Sequence, residues 1–326
     1  MKAAITGGSG HVGAALSRAL VSHGHFVRAM VRTDARGLAG VAIETVQGDV
    51  RSPESLDQAF HGIDVVFHTA ARISIGRADT AALVDANVGG TRNVLAACRR
   101  AGVKRLVHFS SIEALDPRPF ETPVDEERSF VDGSAGSPYA LTKALAEEEV
   151  RRAAAGGLEA VILNPTAIIG PFDYKPSLLG RAIMAFAQGR LPLIIEGGFD
   201  WVDVRDVAEA AMAAAERAPA GGRYIVGGHW ASMAELAALA CHASGRRPPR
   251  IVCPYGLARA WAPVSTALCA MTGREPLFTR YTLEVLRGNR NVSHARASSD
   301  LGHSPRELRE TVLDACRWFR DQGRIG

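Results

Sequence analysis

Three side chains near the middle of the chain stand at spacings that suit acid/base chemistry. Tyr139 and Lys143 are four residues apart, so a helix would place them on one face, one turn apart. A free tyrosine has a pKa of about 10 and is a poor acid or base at neutral pH, but a nearby lysine cation favours the phenolate and lowers that pKa. Ser111 follows an apolar run, and its hydroxyl could hydrogen-bond a substrate oxygen. Together the three residues predict proton transfer by Tyr139.

The beginning of the chain has the pattern of a dinucleotide site. Gly7, Gly10 and Gly13 follow a short apolar run, and a helix at about 11–23 and a strand at 26–31 are predicted after them. A pyrophosphate rests on the N-terminal amides of such a helix, where side chains would hold it off. Gly7 permits the turn, Gly10 lets the backbone approach a phosphate, and Gly13 lets the helix pack closely on the strand.

The end of the second predicted strand bears on which dinucleotide binds. Arg32 stands 19 residues after Gly13, where an acidic ligand for the NAD ribose is usual. An arginine there fits the 2′-phosphate of NADP(H) through a bidentate, charge-assisted contact. The alternative is a solvated Arg32 with Asp34 binding the ribose. The pattern favours NADP(H) and leaves NAD(H) open.

Strands and helices alternate along the first half of the chain, which predicts an α/β fold. We expect a Rossmann doubly wound parallel sheet with right-handed crossovers, in which Ser111 lies at the carboxyl end of a strand, where such sheets bind ligands. The predicted strands are 3–5, 26–31, 42–46, 64–68, 105–109 and 158–163, and the predicted helices are 11–23, 53–60, 80–101 and 139–155.

After residue 165 the pattern changes to loops rich in Pro and Gly with few strands. We expect a Rossmann domain at 1–165 and a smaller, mostly helical substrate-binding cap at 166–200 and 229–326. The segment 201–228, with a helix at 204–218 and a strand at 224–226, should return to the first domain. An amphipathic C-terminal helix is predicted at 305–320.

Composition excludes several classes of protein. The formal net charge of +4 is small for 326 residues and the basic residues are scattered, so we expect no nucleic-acid partner. The five cysteines form no C-x-x-C pair, which favours reduced thiols and therefore a cytoplasmic protein. We expect no metal site. The first strand is expected to begin at residue 2, so we expect no targeting peptide. The longest apolar segment, 254–272, is interrupted by Arg259 and Pro263, so we expect it to line a pocket or interface, with no membrane partner.

With these motifs, the chain resembles the extended short-chain dehydrogenases/reductases over nearly its whole length. The segments that carry the resemblance are 6–13, 48–50, 68–71, Asn87, 110–111, 137–143 and 164–165. The family implies Tyr139 as general acid/base, Lys143 as the residue that tunes its pKa and binds the nicotinamide ribose, and Ser111 as the residue that polarises the substrate oxygen. It also implies a small-molecule carbonyl or alcohol substrate and a homodimer formed through helices 80–101 and 139–155.

The residues predicted to contact the dinucleotide combine the glycine pattern with this resemblance. Asp49 and Val50 would contact adenine, and the backbone at Ala70 and Ala71 would pass the pyrophosphate and ribose. The complete predicted set is Thr6, Gly7, Gly10, His11, Val12, Gly13, Arg32, Asp49, Val50, Thr69, Ala70, Ala71, Tyr139, Lys143, Asn164, Pro165 and Ala167.

Within this family, segments 27–32 and 109–111 resemble dihydroflavonol-reductase-like enzymes, and segments 164–171 and 272–276 also resemble hopanoid-associated sugar epimerases. Nucleotide-sugar epimerases usually carry an arginine where this chain has Phe199, before Asp200. Sugar dehydratases carry an aspartate where it has Ile112, although Glu113 remains. These departures favour a reductase that transfers hydride from NADPH to a ketone or aldehyde.

Two alternatives stay open: a nucleotide-sugar epimerase that retains NAD, and a non-enzymatic dinucleotide sensor. For the reductase, an apolar substrate pocket is expected to be lined by Ile168, Phe172, Phe199, Trp201 and the segment 255–261.

Overall fold

The computed structural model describes residues 1–73, 80–133, 136–271 and 280–326. The segment 272–276, which carries part of the sequence resemblance, lies outside these ranges. The strands are β1 (Lys2–Thr6), β2 (Phe26–Val31), β3 (Glu44–Gln47), β4 (Val65–His68), β5 (Arg105–Phe109), β6 (Ala160–Pro165), β7 (Ala167–Ile169), β8 (Leu193–Ile195), β9 (Gly198–Asp203), β10 (Arg223–Val226), β11 (His229–Ser232) and β12 (Ile251–Cys253).

The helices alternate with these strands through the first half of the chain and dominate the second half. They are α1 (His11–Ser22), α2 (Pro53–Phe60), α3 (Thr80–Val84), α4 (Gly90–Ala101), α5 (Pro138–Ala155), α6 (Leu178–Ala187), α7 (Val204–Arg217), α8 (Met233–Ala243), α9 (Tyr255–Met271), α10 (Arg280–Val285), α11 (Ala295–Leu301) and α12 (Leu308–Asp321). None of the helices in the described ranges is long and apolar enough to cross a membrane.

A seven-stranded parallel sheet forms the centre of the fold, in the order β10-β6-β5-β4-β1-β2-β3. The predicted Rossmann-like α/β fold is thus confirmed. The strand order reverses between β1 and β4, and the crevice outside the carboxyl ends of the strands at such a point is where open α/β sheets bind ligands. Thr6 and His68, the last residues of β1 and β4, are paired there.

Helices cover both faces of this sheet, which explains why its inner strands are apolar throughout. On one face α1 packs against α7, around buried residues that include Ile5, Leu16 and Val207. On the other face α2, α4 and α5 enclose a second cluster that includes Phe60 and Leu106. These two layers hold the ends of β1, β4, β5 and β6 in fixed positions.

Two elements from the second half of the chain join this central layer. β10 adds a parallel strand beside β6, with Tyr224 opposite Leu163, and α7 packs on α1. The helix α11 also packs on this layer, against α7 and β10. The other C-terminal helices surround a separate apolar cluster that includes Ile183, Leu236 and Phe319.

Several elements differ in detail from the sequence prediction. The helical region predicted at 80–101 contains a π-helical turn at Asp85–Gly89 between α3 and α4. Outside the main sheet, β7, β9 and β11 form a three-stranded sheet, and β8 pairs with β12. These strands are only three to six residues long and pair with partners distant in sequence, so their local pattern carries little signal.

Candidate active site

The start of α5 places Tyr139 and Lys143. Ser137 caps the helix by accepting a hydrogen bond from the Ala140 amide at 3.0 Å, and Pro138 occupies the first turn, where its missing N–H costs nothing. Tyr139 therefore lies in the first turn and Lys143 one turn later. Both side chains are buried, with relative exposures of 9 % and 5 %.

Lys143 is held against the end of β5. Its Nζ donates a hydrogen bond to the carbonyl oxygen of Phe109 at 2.7 Å. Burial lowers the pKa of Lys143 to about 8, and the carboxylates of Glu147 and Glu113 act in the opposite direction by stabilising the ammonium. The ammonium is therefore retained at neutral pH but lies close to its titration range.

Ser111 follows β5 directly and contacts the phenol. Its hydroxyl accepts a hydrogen bond from the Glu113 amide at 3.2 Å, which caps the short turn Ile112–Ala114, and it also hydrogen-bonds Tyr139. Ser111 and Tyr139 thus meet at the carboxyl end of β5, as the sequence predicts.

The sequence-based expectation of a lowered tyrosine pKa is wrong for this structure. Burial raises the pKa of Tyr139 above its usual value of about 10, and the charge of Glu113 raises it further. The hydrogen bond from Ser111 lowers it, but by less. The phenol is therefore fully protonated at neutral pH.

Asn164 connects three elements of the site. Its Nδ2 donates to the Ser111 carbonyl at 3.1 Å and to Glu147 Oε2 at 2.8 Å, and Glu147 also pairs with Arg223 at 3.2 Å. Glu147 is fully buried. The sequence analysis did not single out Glu147, although it lies four residues after Lys143 on the same helix face.

Asn87 lies in the π-helical turn and supports the same helix from the other side. Its Nδ2 donates to Thr142 Oγ1 at 3.0 Å and to the Arg72 carbonyl at 3.0 Å, while its Oδ1 accepts from the Arg72 amide at 2.7 Å. The turn before α4 thereby holds both α5 and the chain after β4. Such π-turns are frequent at functional sites.

The glycine loop leaves no room for larger side chains at two of its three predicted positions. Gly7 has a φ of +71°, and a Cβ there would lie 2.8 Å from the Ala70 backbone. A Cβ on Gly13 would overlap the Gly7 carbonyl oxygen. At Gly10 the nearest atom to a Cβ is the Gly7 carbonyl oxygen at 3.2 Å, with nothing else within 4 Å. Gly7 and Gly13 are therefore required by the fold, whereas Gly10 faces open space.

The N-terminus of α1 opens into that space. No side chain caps α1 at Gly10, and its first turn contains no acidic residue, so its amides are available to an anion. Thr69 Oγ1 donates to the Thr6 carbonyl at 2.7 Å and fixes the neighbouring loop beside Ala70. Val12 is half-buried in the first turn, and His11 contacts the Pro171 carbonyl at 2.9 Å.

Polar atoms at the ends of β5 and β6 also fit a bound group. Ser110 Oγ, Asn164 Oδ1 and Thr166 Oγ1 are buried with no hydrogen-bond partner among the described residues. Pro165 and Ala167 flank Thr166, where the chain passes from β6 to β7. Together with the glycine loop, these features fit the pyrophosphate and nicotinamide ends of a dinucleotide.

The residues predicted for the adenosine end lie at the ends of β2 and β3. Arg32 is exposed, and its charge helps to lower the pKa of Asp49, which pairs mainly with Arg51 at 2.9 Å. Asp34 pairs with Arg36 at 2.8 Å and with Lys175 at 3.4 Å, and these cations hold its pKa well below the usual range. Val50 is buried, and Ala71 is exposed after β4.

A cavity of about 1190 Å³ is lined by Ile112 and Ala140, the sequence neighbours of Ser111 and Tyr139. Its wall includes Glu113 and Ala167, and Phe199 and Tyr255 line it as predicted. The prediction was wrong for three other residues, which are absent from its described wall: Trp201 is buried in the core, and Ile168 and Phe172 pack against the Rossmann core. Within the segment 255–261, only Tyr255 and Gly256 line the cavity.

Known proteins are similar to this chain in sequence and in fold. The model of the NAD-dependent epimerase/dehydratase family matches residues 3–227. Sterol demethylase protein B of Methylococcus capsulatus is 36 % identical over 329 aligned residues, which cover 100 % of both chains. A dihydroflavonol 4-reductase-like protein of Synechocystis is 33 % identical and covers 98 % of this chain and 95 % of its own. The solved structure of gox2253 is 36 % identical, with a TM-score of 0.87, and covers 100 % of this chain and 99 % of its own.

The fold and these likenesses define an NAD(P)-dependent oxidoreductase that acts on a small molecule. The chain belongs to the NAD-dependent epimerase/dehydratase family within the extended short-chain dehydrogenases/reductases. The family resemblance inferred from the sequence motifs, including the dihydroflavonol-reductase-like branch, is confirmed.

Proposed function

We propose that the protein is an NADP(H)-dependent carbonyl reductase that reduces a ketone or aldehyde, or oxidises the matching alcohol. The observation that carries this proposal is the arrangement of buried Tyr139 and Lys143 beside half-buried Ser111 at the end of β5. A protonated Tyr139 is hydrogen-bonded to Ser111, and the Lys143 ammonium lies one turn along the same helix. This arrangement can deliver one proton to an oxygen and stabilise the phenolate that results.

The residues have separate roles in this mechanism. The dinucleotide, when bound, supplies the hydride to the carbonyl carbon. Tyr139 donates its phenol proton to the carbonyl oxygen, which becomes the product hydroxyl. Ser111 hydrogen-bonds that oxygen, and the positive charge of Lys143 favours the phenolate. The raised pKa of Tyr139 supports the role of proton donor because the phenol holds its proton at neutral pH.

The ion pairs of the Asp34 carboxylate support NADP(H) over NAD(H) as the cofactor. Its carboxylate is already paired with Arg36 and Lys175, whereas binding the ribose of NAD would require its oxygens to accept from the 2′-hydroxyl. Arg32 is exposed at the end of β2, where a 2′-phosphate would be accessible to its guanidinium.

The cavity supports a substrate with a substantial apolar part. Next to the turn after Ser111, its wall includes Ile112, Leu115 and Val131. A second, narrow pocket shares Phe199 and Leu286 with it. The other residues around that narrow pocket are all apolar: Leu178, Leu179, Ala182, Phe186, Leu191, Leu193, Ile195 and Met233.

We also propose the division into two domains. The strand β10 and helix α7 support assigning 201–228 to the Rossmann domain of 1–165, since both pack on its central layer. The separate apolar cluster of α6, α8, α9, α10 and α12 supports a cap at 166–200 and 229–326, from which α11 packs on α7 and β10 of the first domain.

The test is consumption of NADPH and NADH over a panel of apolar ketones and aldehydes. We expect NADPH-dependent turnover that falls by about 10²–10⁴-fold in Tyr139→Phe, because only the proton donor is lost. Tyr224→Phe, at a buried tyrosine away from the site, is the matched control and should keep its activity. Unchanged turnover in Tyr139→Phe would refute the catalytic assignment.

The same assay separates the alternatives. A purified protein that retains NAD and shows no net NADPH consumption on any carbonyl would indicate an epimerase. Dinucleotide binding with no turnover in any assay would indicate a sensor.

A further inference from the structure

The helix α9 exposes large apolar side chains on one face. Leu257, Trp261 and Val264 have relative exposures of 65 %, 61 % and 43 %, and their spacing places them on a single stripe. Ala258 and Ala262, on another face, are buried and attach the helix to the protein. An exposed stripe of this kind on an otherwise ordinary surface marks an interaction site.

The strand that precedes this helix also exposes apolar side chains. Ile251 and Val252 of β12 are 63 % and 51 % exposed. Only Cys253 and Pro254 separate these residues from the first residue of α9. The five exposed side chains of β12 and α9 are called the α9 surface below.

The sequence that forms and flanks the α9 surface carries charge of one sign. From residue 236 to residue 274 the sequence contains five arginines and no aspartate or glutamate. Arg246, Arg247 and Arg250 are exposed just before β12, and Arg259 is exposed on α9. The guanidinium of Arg287 lies 4.6 Å from the centre of the Tyr255 ring, at the start of α9.

Within the described part of the chain, neighbouring elements bring acidic groups to the start of α9. Glu196 accepts a hydrogen bond from the Tyr255 amide at the N-terminus of α9, and Glu284 is exposed on the adjacent α10. The excess of arginine therefore makes the surface complementary to a negatively charged partner.

We propose that the α9 surface docks the protein on an anionic phospholipid membrane surface, without spanning it. An interfacial helix combines Trp and Leu, which enter the headgroup boundary, with arginines that bind phosphate groups. Tryptophan suits this depth because its ring is apolar while its N–H can stay hydrated. Docking in the plane of the interface departs from the sequence-based expectation of no membrane partner, in which the segment 254–272 was expected to line a pocket or interface.

The position of the large cavity supports this partner over a soluble one. Pro254 and Gly256 line that cavity and are exposed at the start of α9. A protein docked through Leu257 and Trp261 therefore has this edge of its cavity close to the lipid. Compounds with a large apolar part concentrate in membranes, so docking would bring the cavity to them.

The test is flotation of the full-length protein with two kinds of vesicle, phosphatidylcholine alone and phosphatidylcholine mixed with phosphatidylglycerol. We expect flotation with the anionic vesicles that weakens as salt rises. The double variant Leu257→Ser/Trp261→Ser should lose about tenfold or more of this binding, since both apolar anchors are removed. Arg247→Glu/Arg250→Glu should also weaken it severalfold.

Matched controls distinguish docking from general effects. Phe26→Ser removes an exposed aromatic side chain from β2, and Arg309→Glu reverses an exposed charge on α12. Both variants should float like wild type. Thermal melting should show that all variants are folded. In wild type, vesicles with brominated lipids should quench tryptophan fluorescence, and Trp261→Phe should remove most of that quenching while still floating.

Three results would overturn the proposal. One is wild-type protein that stays unbound with anionic vesicles at low salt. Another is flotation of Leu257→Ser/Trp261→Ser equal to wild type. The third is a wild-type dimer that these substitutions convert to a monomer, which would identify a second copy of the chain as the occupant. None of these measurements depends on carbonyl reduction, so the outcome is independent of the proposed function.

Discussion

Asn164 and Glu147 form a buried hydrogen bond of 2.8 Å between the end of β6 and the middle of α5. The same amide group of Asn164 donates to the Ser111 carbonyl at 3.1 Å. Through these contacts Glu147 is linked to Ser111, and its full burial keeps it from contacting a substrate. Its carboxylate is one of two that stabilise the Lys143 ammonium, and we infer that it sets the protonation state of that lysine.

The first prediction concerns Glu147→Gln. The amide can still accept from Asn164, but the negative charge is lost, so the pKa of Lys143 should fall below its present value of about 8. If turnover needs the ammonium, activity declines as pH rises through this pKa. The alkaline limb of the kcat profile should therefore move to lower pH in the variant.

The matched control is Glu148→Gln, which removes a carboxylate from the exposed side of the same helix, where it pairs with Arg152. Its pH profile should follow wild type. An alkaline limb of Glu147→Gln that coincides with wild type would show that Glu147 has only a structural role.

Local patterns in the sequence predict much of this site because they determine backbone geometry. The glycine spacing predicts the turn before α1. The pair Ser137–Pro138 marks the start of α5, so the position of the helix that carries Tyr139 and Lys143 can be predicted from the residues next to it in sequence. The alternation of apolar runs predicts the parallel sheet, and with it the meeting of Ser111 and Tyr139 at a strand end.

Contacts between residues distant in sequence account for what the sequence did not reveal. Glu147 owes its role to burial against Asn164 and Arg223, neither of which is a sequence neighbour. The raised pKa of Tyr139 likewise depends on how completely the tertiary structure excludes water, which outweighs the local hydrogen bond. Trp201 was expected in the pocket, but its indole donates to the Ala231 carbonyl at 2.9 Å on the adjacent strand, which keeps it in the core.

A second prediction addresses cofactor choice. Arg32→Ala should weaken NADP binding by about 10–100-fold, the loss expected for a bidentate phosphate contact, and should leave NAD binding nearly unchanged. The measurement is the Kd of each dinucleotide by fluorescence titration, together with that of 2′,5′-ADP. Arg51→Ala is the matched control, because Arg51 is also exposed beside this site but pairs with Asp49. Equal weakening of NADP and NAD by Arg32→Ala would argue against a 2′-phosphate contact.

A third prediction separates the fold from the ligand within the glycine loop. Gly13→Ala should destabilise the protein by about 1–3 kcal/mol or more, because the new methyl group overlaps the Gly7 carbonyl. Gly10→Ala should change the free energy of unfolding far less, since its methyl group meets one atom at 3.2 Å and otherwise open space. If that space holds the pyrophosphate, Gly10→Ala should still bind dinucleotide much more weakly than wild type. Urea denaturation and fluorescence titration measure the two effects, and normal binding by Gly10→Ala would exclude a close pyrophosphate contact there.

The last prediction concerns two buried histidines on adjacent strands, His68 and His108, whose ring centres lie 5.2 Å apart. Burial lowers the pKa of His68 to about 3 and that of His108 well below its usual value. In the unfolded chain each histidine binds a proton below about pH 6.5. In the folded protein the buried rings stay neutral at that pH. The free energy of unfolding should therefore fall with decreasing pH by about 1.4 kcal/mol per pH unit for each histidine, beginning near pH 6.5.

Replacing the two histidines should have different consequences at neutral pH. Both ring nitrogens of His108 lack a hydrogen-bond partner among the described residues, so His108→Leu should leave the stability at pH 7 unchanged or raise it, and should remove its share of the acid sensitivity. His68 contacts Thr6 Oγ1 at 2.7 Å and Thr91 Oγ1 at 3.1 Å, so His68→Leu should cost about 1–3 kcal/mol. Urea denaturation from neutral to mildly acidic pH measures both effects, with the exposed His23→Leu as control. An acid dependence of His108→Leu identical to that of wild type would show that this ring does not stay neutral in the folded protein.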